Sequence, residues 1–298
     1  KFWRRYHLTK IVLIIGLSTG LLVGTYLFAI AKSTNVNDLQ NALKTRTLIF
    51  DREEKEAGAL SGQKGTYVEL TDISKDLQNA VVATEDRSFY KNDGINYGRF
   101  FLAIVTAGRS GGGSTITQQL LKNNVFGGGL HEGKFERYVR KFQEQYLALE
   151  LEDQPGLEKK QIKKSILTEY LNTINLGANT LGVKVAARRY FNKEVSNLSL
   201  SESTVIAAIT KNPSGLNPIT HPDKNAARRK QVLKNMLKQG YIDETRYNEA
   251  LADPVYERIQ NVNLSTGGED KPYSYYTDEL TEQVVDAFME RLNYSKED

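Results

Sequence analysis

The 298-residue chain carries 40 Lys plus Arg against 36 Asp plus Glu, a formal net charge of +4, with 40% hydrophobic and 9% aromatic residues, enough to bury a core and to exclude wholesale disorder. It has no Cys and only His7, His131 and His221, which excludes thiol nucleophiles, Fe–S clusters, Cys zinc sites and HExxH metal sites. Any chemistry therefore rests on carboxylates, hydroxyls, amides and cations.

The charge is unevenly placed. Lys1, Arg4, Arg5 and Lys10 account for the whole +4, while residues 11–240 carry +9 and residues 241–298 carry −9. Behind the basic tail of residues 1–10, residues 11–31 (IVLIIGLSTGLLVGTYLFAIA) are uncharged and mostly apolar. Helical rise makes such a run long enough for a hydrocarbon core of ~30 Å. The spacing Ala29-Ile30-Ala31 suits a cleaved signal peptide, but the run exceeds the ~7–15 residues of a signal h-region and predicts a retained transmembrane helix. The positive-inside rule then makes the tail cytoplasmic and the rest extracytoplasmic.

Residues 32–71 form a juxtamembrane spacer in which RTLIF and TYVEL look β-like around the polar stretch EEKEAGALSGQKG, a pattern that suggests a small hairpin. From Asp72 to about Leu251 the pattern is helical. Apolar rows recur at Leu77-Ala80-Val81, Phe100-Phe101-Ile104-Val105, Phe135-Tyr138-Val139-Phe142, Ile162-Ile166-Tyr170-Leu171-Ile174, Val205-Ala208-Ile209 and Val232-Met236. Glycine- and proline-rich interruptions separate them, and Gly240 marks a helix stop. The expected class is a mainly α fold with its principal domain at 72–240. Residues 241–298 read as an acidic helical linker, irregular from Asp253 to Pro272 and helical from Tyr276 to Leu292.

Three places carry candidate chemistry. Glu85 continues the row Leu77-Val81-Glu85-Phe89, so a carboxylate sits on an apolar helical face, where burial makes a plausible general base and pairing with Arg87 or an amide is the plainer reading. Gly111-Gly112-Gly113 lead into a helix whose start carries a Thr115/Gln118 capping box, with Ser114, Gln119 and Lys122 close by. This grouping could line an anion or sugar site, although Gly-rich turns before capped helices are commonly structural. Glu144 follows Arg137, Arg140 and Lys141 by one to two turns. These cations could be its counter-charges, those of a bound phosphate, or ordinary solvated helix pairs.

Taken in order, these segments resemble the motifs of the peptidoglycan glycosyltransferase family, found in class A penicillin-binding proteins and monofunctional glycosyltransferases. Its EDxxFxxHxG is similar to Glu85-Asp86-Arg87-Ser88-Phe89-Tyr90-Lys91-Asn92-Asp93-Gly94, with Asn92 where His is usual. GxSTxTQQxxKN matches Gly112 to Asn123. RKxxExxxAxxLE matches Arg140-Lys141, Glu144, Ala148 and Leu151-Glu152. YLNxxxxGxxxxG matches Tyr170-Leu171-Asn172, Gly177 and Gly182. The stretch VFGGGLHEGKFE is longer than usual, so the phosphate-binding cation of that loop stays unassigned between Arg137 and others.

The resemblance implies a lysozyme-like α fold beside the membrane and the polymerisation of lipid II by an inverting single displacement with release of undecaprenyl pyrophosphate. It implies Glu85 and Glu144 as catalytic residues, and Asp86, Phe89, Ser114, Thr115, Gln118, Gln119, Lys122, Arg140, Lys141 and Asn172 as substrate-binding ones. It also implies a divalent cation, Mg or Mn, at the pyrophosphate and no organic cofactor. The implied partners are lipid II, the growing glycan strand, membrane lipids and cell-wall synthesis and division proteins, with no nucleic acid. Class A proteins continue into a transpeptidase. Here Ser61-Gly62-Gln63-Lys64 and Ser33-Thr34-Asn35 fall in the wrong order for its motifs and KTG is absent, so the acidic linker is expected to lead toward such a domain in a longer parent chain. A lysozyme-like hydrolase or lytic transglycosylase and a non-catalytic cell-wall scaffold are the competing readings.

Overall fold

The computed structural model describes residues 8–33, 47–50, 56–60, 67–99, 102, 113–126, 128, 132–177 and 180–259. The apolar row Phe100-Phe101-Ile104-Val105 and the helix expected from Tyr276 to Leu292 lie outside these residues. The fold is mainly α. Its residues group into two units, one of residues 1–42 and 90–163, the other of residues 43–89 and 164–298.

In the first unit, α1 (Leu8–Ser33) is a single helix of 26 residues, longer than the uncharged run alone. At the α-helical rise it measures about 39 Å, enough to cross a bilayer. The Thr25 hydroxyl donates to the Leu21 carbonyl at 2.8 Å, which satisfies this polar group within the helix. α3 (Ile116–Asn124) and α4 (Lys134–Glu152) follow, and α4 packs against both α1 and α3. Phe28 of α1 meets Tyr146 edge to face, ring centroids 6.1 Å apart. The inward face of α4 combines Leu147, Ala148 and Leu151 with the polar Arg140 and Glu144. Its Phe135, Tyr138 and Phe142 point outward and are exposed. The expected helix is present, but this apolar row is not its core face.

In the second unit, β1 (Thr47–Phe50) pairs antiparallel with β2 (Glu56–Leu60), Thr47 opposite Leu60, with a register irregularity between Ile49 and Phe50. The expected hairpin forms with a different second strand: the partner of TLIF is EAGAL, inside the stretch read as a polar connector, and not TYVEL. The reason is visible at Val68, whose N–H donates to Asn172 Oδ1 at 2.8 Å and whose carbonyl accepts from Asn172 Nδ2 at 2.9 Å. One side-chain amide thus supplies the main-chain bonds a neighbouring strand would give. Tyr67 adds a hydroxyl bond to Glu169 at 3.0 Å.

α5 (Lys159–Thr173) ends in this unit, which also holds α2 (Lys75–Glu85), α6 (Val183–Phe191), α7 (Leu200–Ile209), α8 (Pro222–Lys238) and α9 (Glu244–Ala252). Every residue of α7 is buried, the signature of a central helix, and α2, α6, α8 and α9 pack on it. Ser199 and Glu202 close its N-terminus with a capping box. Residues beyond 240 are not simply a linker. Ile242, Ala250, Val255 and Ile259 are buried, and Arg229 of α8 donates to the Ala250 carbonyl and to the Ser201 hydroxyl. A buried guanidinium requires such acceptors, and the segment through Ile259 provides one of them, the Ala250 carbonyl.

Gly182 has φ +80°, and a Cβ built there would lie 2.5 Å from the Asn172 carbonyl oxygen. Gly240 has φ +74° with nothing within 4 Å. Gly240→Ala is expected to cost about 1–2 kcal/mol, the backbone penalty alone. Gly182→Ala should cost clearly more, because rigid main chain must also move. Urea denaturation of the two variants checks this, and equal losses would contradict it.

Candidate active site

Glu85 is the last residue of α2. The helix stops there because the Asp86 carboxylate turns back to accept from the Ser88 N–H at 3.2 Å and the Ser88 hydroxyl at 3.0 Å, while the Phe89 N–H donates to the Asp86 carbonyl at 2.9 Å. Asp86 is buried and the Phe89 ring is fully buried. These two residues, expected at the substrate, build the turn that presents Glu85. Asn172 likewise has both amide protons on the main chain, at Val68 and Thr168, and its oxygen on Val68. It holds the 67–69 segment in place.

The Glu85 side chain is 12% exposed. Its Oε1 accepts the Thr210 hydroxyl at 2.7 Å and lies 3.9 Å from Nη2 of Arg228. Tyr170, fully buried, has its phenol pushed well above the ordinary range, first by burial and then by the charge of Glu85. The ends of α2 and α7 and the middle of α8 thus meet at one carboxylate.

In the first unit, Thr115 caps α3: its hydroxyl accepts from the Gln118 N–H at 3.2 Å and donates to the Gly94 carbonyl at 2.6 Å, while Gln118 Oε1 accepts from the Thr115 N–H at 3.0 Å. The capping box expected from the sequence is therefore formed, and Thr115 and Gln118, both buried, serve it. Gln119 is partly exposed one position on. Beside this N-terminus Lys141 donates to the Ser114 hydroxyl at 3.2 Å and to Glu144 Oε2 at 2.6 Å. The Glu144 side chain is 1% exposed, and its other oxygen is held by Arg140. Arg140 also grips Glu132 side-on, through Nε and through Nη2 at 2.9 Å.

The two motif segments thus converge on one electrostatic cluster, in which three cations, Lys122, Arg140 and Lys141, stand against the carboxylates Glu132 and Glu144. Burial, then Lys141 and Arg140, lower the pKa of Lys122 below the ordinary lysine value of 10.5. Burial opposes the charge of Arg140, but its bonds to Glu132 and Glu144 raise its pKa on balance. The hydrogen bond from Arg140 holds Glu132 below the usual carboxylate range. An excess cation in a partly desolvated cluster attracts an anion strongly.

A second buried group braces this cluster. Glu152 accepts the Thr117 hydroxyl at 2.6 Å and pairs with Lys163 at 2.5 Å, and Lys163 also donates to Asn92 Oδ1 at 3.0 Å. Asn92, where the resembled family usually has His, accepts in addition from the Gly94 N–H at 3.1 Å. Burial raises the Glu152 pKa against the opposing pulls of Lys163 and Thr117.

Among the described residues no group of three or more His, Asp or Glu side chains is placed to hold a metal ion. Glu132 and Glu144 are already engaged by Arg140 and Lys141.

Sequence reading missed Thr210, Arg228, Glu132 and Lys163. For Glu132 the signal was the acidic residue beside Arg137 and Arg140 in the Gly-rich loop. For Thr210 there was none, since 125 residues separate it from Glu85.

The family model described as Transglycosylase matches residues 53–237, and the chain belongs to this transglycosylase family. Its lysozyme-like, mainly α class is the one expected from the sequence. The chain is 57% identical over 288 residues to penicillin-binding protein 2a of Streptococcus pneumoniae serotype 2 (strain D39 / NCTC 7466), covering 97% of this chain and 38% of that protein. It is 37% identical over 257 residues to penicillin-binding protein 1A of Aquifex aeolicus (strain VF5), covering 83% and 34%. The chain therefore spans well under half the length of these relatives.

Lys122 gives a test of the cluster. A bound anion favours its charged form, so as pH rises through its lowered titration range the affinity for inorganic pyrophosphate should fall faster in the wild type than in Lys122→Arg, whose guanidinium keeps its charge. Calorimetric titrations of both proteins measure this ratio directly, free of the ligand's own titration. A ratio unchanged up to the ordinary lysine range would contradict it.

Proposed function

We propose that this chain is a membrane-anchored peptidoglycan glycosyltransferase that polymerises lipid II into β-1,4-linked glycan strands and releases undecaprenyl pyrophosphate. The observation that carries the reading is the convergence of Ser114, Lys122, Arg140 and Lys141 on the buried Glu144, a cationic cluster suited to a pyrophosphate leaving group. Membership of the transglycosylase family supports it.

The substrate's lipid character has support in the first unit. A pocket of about 410 Å³ is lined by Tyr26 and Ile30 of α1, by Phe126 and Glu132, and by Phe135, Glu136, Val139, Arg140 and Gln143 of α4, so apolar side chains stand beside a guanidinium that Glu132 holds. The outward Phe135, Tyr138 and Phe142 on the same helix suit contact with lipid beside α1, which crosses the cytoplasmic membrane in a single pass with its N-terminus cytoplasmic and the catalytic part outside.

Glu85 accepts the proton of the acceptor GlcNAc 4-hydroxyl as that oxygen attacks C1 of the donor MurNAc. The C1–O bond to pyrophosphate breaks, and the single displacement inverts the anomeric centre. The leaving pyrophosphate departs with the electron pair, and Lys122, Arg140 and Lys141 stabilise its charge as it develops. Glu144 keeps two of these cations in place. Arg140 presents to the substrate the guanidinium edge that Glu132 occupies, so Glu132 yields when phosphate binds.

Gel analysis of glycan made from lipid II tests the proposal. The wild type should lengthen strands, and Glu85→Gln should lose at least ~100-fold in rate, the scale of a general base. Shortened strands, or a near wild-type rate in Glu85→Gln, would contradict it.

A further inference from the structure

The Thr210 hydroxyl lies within hydrogen-bond distance of two acceptors, Glu85 Oε1 at 2.7 Å and the Ala207 carbonyl oxygen at 2.9 Å. A hydroxyl has one proton and two lone pairs, so it serves one of these acceptors at a time. Which one it serves depends on the charge of Glu85. A carboxylate draws the proton more strongly than a neutral carbonyl does. Once Glu85 carries a proton on Oε1, that O–H can donate to Thr210 Oγ1, and the Thr210 proton turns to Ala207. Rotation of one hydroxyl moves this proton between the two acceptors with no movement of heavy atoms.

We propose that Thr210 is a positioning residue for Glu85, giving its proton to the charged carboxylate and swinging it to Ala207 when Glu85 takes up a proton. This rests on Glu85 being the base of the proposed reaction. The local architecture favours it: Thr210 is the residue at which α7 ends, directly after the fully buried Ile209, so its Oγ1 is held by the central helix of its unit. Arg228 cannot substitute, because its nearest nitrogen is 3.9 Å from Oε1, beyond a hydrogen bond, and its Nε finds no hydrogen-bond partner among the described residues. Proton count is conserved: the proton leaving the acceptor hydroxyl ends on Glu85, and Thr210 neither gains nor loses one.

The test compares wild type, Thr210→Val, Thr210→Ala, Thr210→Ser and Glu85→Gln in lipid II polymerisation, using the full chain in detergent. Thr210→Val and Thr210→Ala should lower kcat by ~10-fold, as expected for one hydrogen bond to a charged group, with KM changed by less than about twofold. Thr210→Ser keeps the hydroxyl and should recover kcat to within about twofold. Thermal melts establish that each protein compared is folded, and Thr210→Ala carries the comparison if the valine variant does not fold. A wild-type kcat in the folded hydroxyl-less variant, or a serine variant as impaired as it, overturns the proposal while active wild type and inactive Glu85→Gln leave the base assignment standing. An inactive wild type or an active Glu85→Gln overturns the base assignment and, with it, this role for Thr210.

Discussion

Glu144 is a carboxylate taken almost wholly out of water, and among the described residues a cation stands on each of its two oxygens. A buried charge deprived of its partner costs about 3–5 kcal/mol, so Arg140 and Lys141 are bound to this position as firmly as Glu144 is bound to them. Both lie on the same helix as Glu144, at i−4 and i−3, so the triad is preassembled whenever α4 forms. The rest of the first unit is arranged around this triad. Lys141 reaches Ser114 at the start of α3, Arg140 reaches Glu132 in the preceding loop, and the Thr115 cap and the Thr117–Glu152–Lys163 contacts fix where α3 begins. Positive charge that would otherwise scatter is held at one place, with one cation to spare.

The second unit presents a carboxylate, Glu85, at a helix end. An apolar helix, α7, fixes a hydroxyl at its end, and the Asp86 turn stops α2 so that Glu85 stands where that hydroxyl reaches it. Around Glu85 the fully buried Tyr170 and Ile209 stand beside the Thr210 hydroxyl and the Arg228 guanidinium. In the first unit Arg140 and Lys141 are paired with Glu132 and Glu144, and Lys122 stands beside them. Under the proposed reaction, the carboxylate that would take the proton and the cations that would stabilise the leaving group stand in two different electrostatic environments.

Local geometry was well legible in the sequence. The uncharged run of residues 11–31 became α1, the Thr115/Gln118 spacing became a closed capping box, and Arg140, Lys141 and Glu144 met as their helical spacing required. What escaped were bonds between side chains and distant main chain. TYVEL has strand character, yet its partner is the amide of Asn172, 104 positions away. Asp86, Phe89 and Asn172, expected at the substrate, also build a turn, fill the core and bridge main chain, structural roles their motifs did not announce. Periodicity marks an apolar face without saying what covers it: the row on α4 is helical as expected, yet its Phe135, Tyr138 and Phe142 lie outward. Thr210 carried no local signal at all, because a hydroxyl at a helix end becomes meaningful only when another segment's carboxylate arrives beside it.

If the buried triad organises the leaving-group site, the substitution that removes only its negative charge is the most direct test. Glu144→Gln keeps the side chain's shape and leaves Arg140 and Lys141 to repel each other. The rate of lipid II polymerisation, measured on protein shown by circular dichroism to be folded, should fall by at least ~10-fold, and affinity for inorganic pyrophosphate should change with it. A folded Glu144→Gln protein with wild-type rate and wild-type pyrophosphate affinity would contradict the account.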